Sequence, residues 1–492
     1  MRAQFNPPVR RSSFHRFSFV PALILFLASC VVAGCGGGGG GTAASFGGNT
    51  TVVLLASSTA NDEFSSLSVG LTGLTLTSNT GHTVSLLTTP VSDEFMHLNG
   101  HVEPLATVSM PVGIYTSATV TVNEALVGCV APALTNGAAA NVDSQATVSV
   151  GMAQPIRVTG TAMGLVLDLQ VSKSVPLQGG CPQTTTTQVT PVFRLEQLKI
   201  AAQPTNTANG KVFGVEGLVT AVNGQSGFTA HSLYVQNAGY ATVPVWQVGV
   251  NSGTIFQGIG SMAALGVGMP VDMDMTIQPD GSLLATRVAV YDSNTTNLSV
   301  GYGPLTGSYP PGAYHSALPT MSEFLAEQTG NLQVGFGLYA LNAQAAISGQ
   351  FTNLRSLPFA PTFDSSNLVD GQNVLFSTHT PLFTYPQVVS TVTLLPQTIN
   401  GTVKAISSEG NFTVYTVALA PYDPFADMAN QPGQTTLLKN PGTVEVYADG
   451  NTQMLNPNKV STGNVFRFYG LVFNDNGMLR MDCSQVSDGV PV

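Results

Sequence analysis

From Thr50 onwards the chain is written in short runs whose residues alternate between apolar and polar, the period of a β-strand rather than of a helix. Thr51-Val52-Val53-Leu54-Leu55 is the first strand, and Leu67 to Leu76 alternates at period two. The turn Ser78-Asn79-Thr80-Gly81 leads into Thr83-Val84-Ser85-Leu86-Leu87. Pro111-Val112-Gly113-Ile114-Tyr115 starts the strand Ser117 to Val122, and further strands are expected at 145–151, 155–160 and 164–171. Strands at this spacing, without a strong 3.6-residue period, predict an all-β chain whose first module, 50–200, is a β-sandwich of immunoglobulin-like type.

The second half repeats itself. Gly217-Leu218-Val219-Thr220-Ala221-Val222, Gly227-Phe228-Thr229-Ala230, Pro270-Val271 and Asp280-Gly281-Ser282-Leu283 mark out 214–292. Gly401-Thr402-Val403-Lys404-Ala405-Ile406, Gly410-Asn411-Phe412-Thr413-Val414 and Asn476-Gly477-Met478-Leu479 keep the same order in 399–488. Gly349 to Leu354 and Leu368 to Val374 read as the back half of a divergent third copy. Repetition at about 90–100 residues predicts tandem domains of about five strands each, with glycine at the bends of a small closed or partly open barrel. The expected modules are 201–293, 294–397 (a linker plus the divergent copy) and 398–492.

These motifs carry two family resemblances. The first module resembles the domain of unknown function 4382 family. It shares the opening hydrophobic strand, the acidic turn Asn61-Asp62-Glu63, and the loop His97-Leu98-Asn99-Gly100. It also shares the Pro111-Val112-Gly113-Ile114-Tyr115 turn, Leu165 to Leu169, and Pro191 to Leu195. That family has no established activity. The resemblance implies a surface-exposed sandwich related to carbohydrate-binding and transthyretin-like folds. The repeats resemble the domain of unknown function 5666 family, well in the first and last copies and poorly in the middle one, which implies an OB-like barrel.

The start of the chain gives an address. Residues 1–16 are polar with four arginines, and the run from Phe17 to Val32 is almost wholly apolar. This is the layout of an export signal. Ala33-Gly34-Cys35 then resembles a bacterial lipobox, in which Cys35 receives the lipid; Leu27-Ala28-Ser29-Cys30 is the competing match. The expected boundaries are a signal peptide over 1–34 and a glycine-rich tether over 35–49. The implied location is the bacterial cell envelope, anchored by lipid, with the outer membrane favoured by Gly36 in place of an aspartate.

Composition narrows the function. Only 9% of the residues are charged, against about 25% in an ordinary soluble protein. Four of the 16 basic residues, Arg2, Arg10, Arg11 and Arg16, precede Cys35 and no acid does. The exported part therefore carries 12 basic against 26 acidic residues, a net −14. Such a surface disfavours nucleic acid as a partner. The expected partners are the membrane, through the lipid, and a polysaccharide or another envelope protein. No P-loop, Rossmann glycine turn, Gly-x-Ser-x-Gly or His-Glu-x-x-His is present, so no catalytic residue and no cofactor are nominated.

A few residues remain as site candidates. His97, His101 and Glu103, with Asp93 and Glu94 close by, are the most metal-like group, a polar surface loop being the alternative. Tyr302, Tyr309 and Tyr314 lie in an aromatic loop that suits sugar stacking or a rigid linker. Cys129 and Cys181 are the candidate pair for one disulfide, with Cys483 left over, and 322–328 is expected as a short helix. In Val271-Asp272-Met273-Asp274-Met275 the two acids share one face of a strand, expected to be the solvent face. The leading expectation is a non-catalytic, lipid-anchored binding or structural protein; the alternatives are an extracellular hydrolase of glycans or esters, and a metal-binding surface module.

Overall fold

The fold was obtained as a computed structural model of the 492-residue chain. It describes residues 48–59, 64–129, 146–174, 189–198, 210–234, 243–304, 356–363, 371–379, 387–420, 438–455 and 459–489, with a few isolated positions besides. All of them lie in one compact unit, Phe46–Val492. The chain is all-β, as its period-two runs predict. Among the described residues no helix is long and apolar enough to cross a membrane.

The N-terminal module is built from β1 (Asn49–Ser58), β2 (Phe64–Ser78), β3 (Thr83–Ser85), β4 (Val91–Glu94), β5 (Glu103–Pro111), β6 (Gly113–Cys129), β7 (Ala146–Val150), β8 (Ile156–Val158), β9 (Ala162–Leu169) and β10 (Phe193–Leu198). One sheet has the order β10-β9-β1-β5; the other runs β3-β2-β6-β7, with β4 beside β2 and β8 beside β6. The sheets share one core: Val52, Leu54 and Ala56 of β1 and Leu165, Leu167 and Leu169 of β9 join Leu67, Val69 and Leu71 of β2 and Val120 of β6. The alternate residues of β1, Val53 and Leu55, enter a second core belonging to the next module. Burial on both faces explains why β1 reads as an unbroken apolar run.

That next module comprises β11 (Lys211–Val222), β12 (Gly227–Ser232), β13 (Val245–Gly249), β14 (Ile255–Gln257), β15 (Pro270–Ile277) and β16 (Leu283–Val290). Pairing runs β11-β12-β13-β16-β15 and back to β11, closed by the parallel pair β13–β16, with β14 added outside on β16. Closure removes the sheet edges. Glycine makes it possible: a Cβ on Gly217 would stand 3.1 Å from the His231 carbonyl.

A sheet with partial barrel order comes next, made of β17 (Ser299–Pro304), β18 (Val334–Gly335), β19 (Ala340–Leu341), β20 (Asn373–Thr378) and β21 (Gln387–Leu394). Its antiparallel series β17–β20–β21 repeats β11–β15–β16. The last module, β22 (Gln397–Glu409), β23 (Phe412–Leu419), β24 (Thr443–Ala448), β25 (Gln453–Leu455), β26 (Val465–Asp475) and β27 (Met478–Asp488), reproduces the first barrel pair for pair, including a parallel closure by β24–β27. The register is also shared. Gly217 faces Val271 in the first barrel, and Gly401 faces Phe466 in the last.

One expectation is corrected. Asp272 and Asp274 do share a face of β15, but that face is not solvated: every residue of β15 is buried. The apolar residues Val271, Met273 and Met275 fill the barrel. The outer face is covered by neighbouring modules and neutralised by Arg287 of β16, which ion-pairs with both acids.

Candidate functional site: a buried acid–histidine junction

The loop between β4 and β5 supplies the centre. Phe95 and Leu98 sink into the N-terminal core and pin the loop from below. The polar residues at 93, 94, 97, 101 and 103 are thereby held in one place. Gly100 turns the chain with φ +74°, a conformation that costs side-chain-bearing residues about 1–2 kcal/mol.

Glu94 organises the cluster. Its Oε1 accepts the backbone N–H groups of Leu67 at 2.7 Å and Met96 at 2.8 Å. Its Oε2 accepts the His97 N–H at 2.9 Å and the His97 ring Nδ1–H at 3.1 Å. The imidazole is thus fixed with Nε2 turned to Glu103, 3.3 Å from Oε1. That pair is close without being aligned as a hydrogen bond, because His97 Nε2 and both Glu103 oxygens have no hydrogen-bond partner among the described residues. His101 Nδ1 and Asp93 Oδ2 are in the same condition. One donor atom from each of His97, His101 and Glu103 lies within 4.8 Å of the others.

Both barrels close over this loop. From the first, Tyr234 stacks on His97 with ring centroids 3.6 Å apart, 8° from parallel. From the last, Tyr469 stacks on His101 at 5.1 Å and 15°. The last barrel also grips the loop backbone: Thr398 donates to the Asn99 carbonyl and Gln485 to that of Gly100. Arg467 Nη1 donates to Ser58 O at 2.8 Å. The register equates Asp272 with Arg467, Asp274 with Tyr469 and Arg287 with Gln485. The same outer face of two repeated barrels is therefore turned onto one loop, with different side chains on each.

The electrostatics result from enclosure. His101 is 2% exposed, and Glu103, Asp272 and Asp274 are fully buried. Burial alone would lower the His97 pKa, but Glu103 and Glu94 outweigh it and hold it well above its ordinary value. Burial and the neighbouring His97 charge push His101 down to about 3. Asp93 is raised by burial and by Glu103, and Glu216 by burial and by Asp272. Asp272 rises to about 6 through burial, with Arg287 opposing.

The structure thus brings His97, His101, Glu103, Asp93 and Glu94 together, inside the protein rather than on a surface loop. It adds Glu216, Tyr234, Arg287 and Tyr469, which no motif marks, and Asp272 and Asp274, which strand alternation had assigned to a solvent face. Arg287 was the one clue in the sequence, a guanidinium within a strand of a chain poor in cations.

The other candidates stand apart. Cys129 ends β6, but Cys181 lies outside the described residues, as do Cys35, Cys30, Tyr309, Tyr314 and 322–328. Tyr302 pairs with Leu375 in the middle sheet. Cys483 is buried, donates to Gln485 O at 3.2 Å, and has its thiol pushed well up by burial. A groove of about 710 Å³ lies beside the junction, its lining divided between apolar residues such as Ile156 and Leu198 and charged ones, among them Asp168, Arg194, Lys211 and Arg467.

No curated protein matches the chain. The family model Domain of unknown function (DUF5666) matches residues 216–289, from Glu216 in β11 to Ala289 in β16, which supports the resemblance expected of the first barrel, and the matched stretch contains Asp272, Asp274 and Arg287.

Proposed function

We propose that this protein is a non-catalytic, lipid-anchored component of a bacterial cell envelope, with a structural or binding role, its β-modules locked into one body by the buried junction. The observation that carries this reading is the closure of the polar cluster. A centre whose His101 and Glu103 are 2% and 0% exposed offers a substrate no entrance, yet it joins the first module to both barrels. The basic leader, apolar run, Ala33-Gly34-Cys35 and the glycine tether support the address, with the outer membrane as the anchoring surface. The resemblance of the first module to the domain of unknown function 4382 family supports a surface role.

Two measurements test this. Palmitate labelling of the full chain is expected to vanish in Cys35→Ser; label persisting there moves the anchor to Cys30. The purified mature chain is expected to give no turnover on a panel of polysaccharides and esters. Turnover abolished by one carboxylate substitution would favour a hydrolase instead. A second reading is supported by the groove: its hydroxyl, amide and mixed-charge lining suits a hydroxyl-rich, charged polymer such as an acidic polysaccharide. A glycan array probed with the mature chain and with Arg194→Ala tests it.

A further inference from the structure

We propose that the junction holds one divalent transition-metal ion, zinc by preference, ligated by His97 Nε2, His101 Nδ1 and a Glu103 carboxylate oxygen. This rests on reading the junction as the lock between modules.

Four observations converge. First, the proposed donor atoms are buried and have no hydrogen-bond partner among the described residues. Unpartnered buried polar atoms cost about 1–3 kcal/mol each, and a cation satisfies them together. Second, His97 is prepared as a ligand. Its far ring nitrogen is bonded to Glu94, itself held by three backbone N–H groups. This carboxylate–histidine arrangement fixes the tautomer and orientation of metal-bound imidazoles. Third, the spacing matches at one pair: ligands about 2.0–2.1 Å from a tetrahedral ion stand about 3.3 Å apart, His97 Nε2 is 3.3 Å from Glu103 Oε1, and all three donors lie within 4.8 Å of one another, so that His101 closes the site with a small movement.

Fourth, the charge of the site accommodates it. Asp93, Glu94, Glu103, Glu216, Asp272 and Asp274 interact with one another and with His97 and Arg287 in this enclosed volume. Carboxylates in excess over cations in a dry interior are relieved by taking up protons or a further positive charge. Two imidazoles and a carboxylate suit zinc or a similar borderline ion rather than calcium or magnesium. With each histidine stacked on a tyrosine of a different barrel, one ion would tie three modules at a single point.

The test uses the tag-free mature chain, stripped with chelator and re-equilibrated with zinc or cobalt. One zinc per chain is expected by elemental analysis, with the visible absorption of tetrahedral cobalt(II) in the cobalt form. His101→Ala and Glu103→Gln are expected to abolish stoichiometric binding. Glu94→Gln keeps the side-chain shape but sets an amide NH2 against two of the N–H groups that Glu94 now accepts, and is expected to weaken binding about 10–100-fold. A folded chain that retains no zinc and gives no cobalt spectrum overturns the proposal, as does stoichiometric binding that survives both His101→Ala and Glu103→Gln. If zinc is absent and Arg287→Met still destabilises the whole chain, the ion falls and the lock stands.

Discussion

The indole N–H of Trp246 donates to the carbonyl of Pro104 at 2.6 Å, across 142 residues of sequence. Trp246 is the chain's one tryptophan. It sits on β13 of the first barrel, 2% exposed, and its acceptor adjoins Glu103 on β5 of the first module. The contact therefore ties the barrel to the strand that carries the junction. Trp246→Phe keeps most of the apolar surface but leaves a buried carbonyl without its donor. A loss of about 1–3 kcal/mol is expected, read by urea denaturation followed by circular dichroism. In the wild-type chain, tryptophan emission should shift to the red in the same transition that separates the two modules.

Arg287 makes a stronger prediction. It is 2% exposed, with its Nε 2.6 Å from Asp274 and its Nη2 on Asp272. Arg287→Met leaves two carboxylates buried without their cation, which typically costs about 3–5 kcal/mol. The triple variant Arg287→Met, Asp272→Asn, Asp274→Asn removes charge on both sides and is expected to recover much of that loss. Thermal melts of wild type, single and triple variants compare directly. A single variant as stable as wild type contradicts the ion-pair account.

The pH dependence of stability should carry the signature of Asp272. Its folded-state pKa is about 6 against an ordinary 3.8, so the folded chain holds a proton that the unfolded chain has released. The contribution favours folding at acid pH and is lost as pH rises from about 4 to about 6. A shift of this size corresponds to roughly 2–3 kcal/mol. Subtracting the Asp272→Asn stability profile from that of wild type isolates the group. The difference is expected to fall across that window and to be flat above it.

What the sequence made legible divides along physical lines. Period-two alternation, turn glycines and the order of the repeats are local signals, and the strands and both complete barrels derive from them. His97, His101 and Glu103 lie within seven residues, so their grouping was visible. Their burial was not, because the covering side chains, Tyr234 and Tyr469, come from modules far along the chain. Asp272 and Asp274 show the same limit. Alternation assigns them to one face, but whether that face meets water depends on which module packs against it. The apolar run of β1 was the one local hint of double-sided burial, since Val53 and Leu55 interrupt the alternation to reach the barrel core.

Gly100 allows the crowding at the junction to be measured apart from backbone strain. It has φ +74°, and a Cβ there would stand 3.0 Å from Thr398 Oγ1 and 3.1 Å from Thr398 Cγ2. Gly81 has φ +85° with nothing within 4 Å of the same position. Gly81→Ala therefore incurs the left-handed backbone cost alone, about 1–2 kcal/mol, whereas Gly100→Ala adds the collision with β22. Thr398→Ser removes the methyl group and keeps the hydroxyl that bonds to Asn99 O. In a double-mutant cycle, Gly100→Ala and Thr398→Ser are expected to be coupled favourably, with the double variant losing less than the sum of the singles. Gly81→Ala and Thr398→Ser should be additive within about 0.5 kcal/mol. Additivity at Gly100 as well would mean that the last barrel does not press on the loop, and the lock between modules would have to be sought elsewhere.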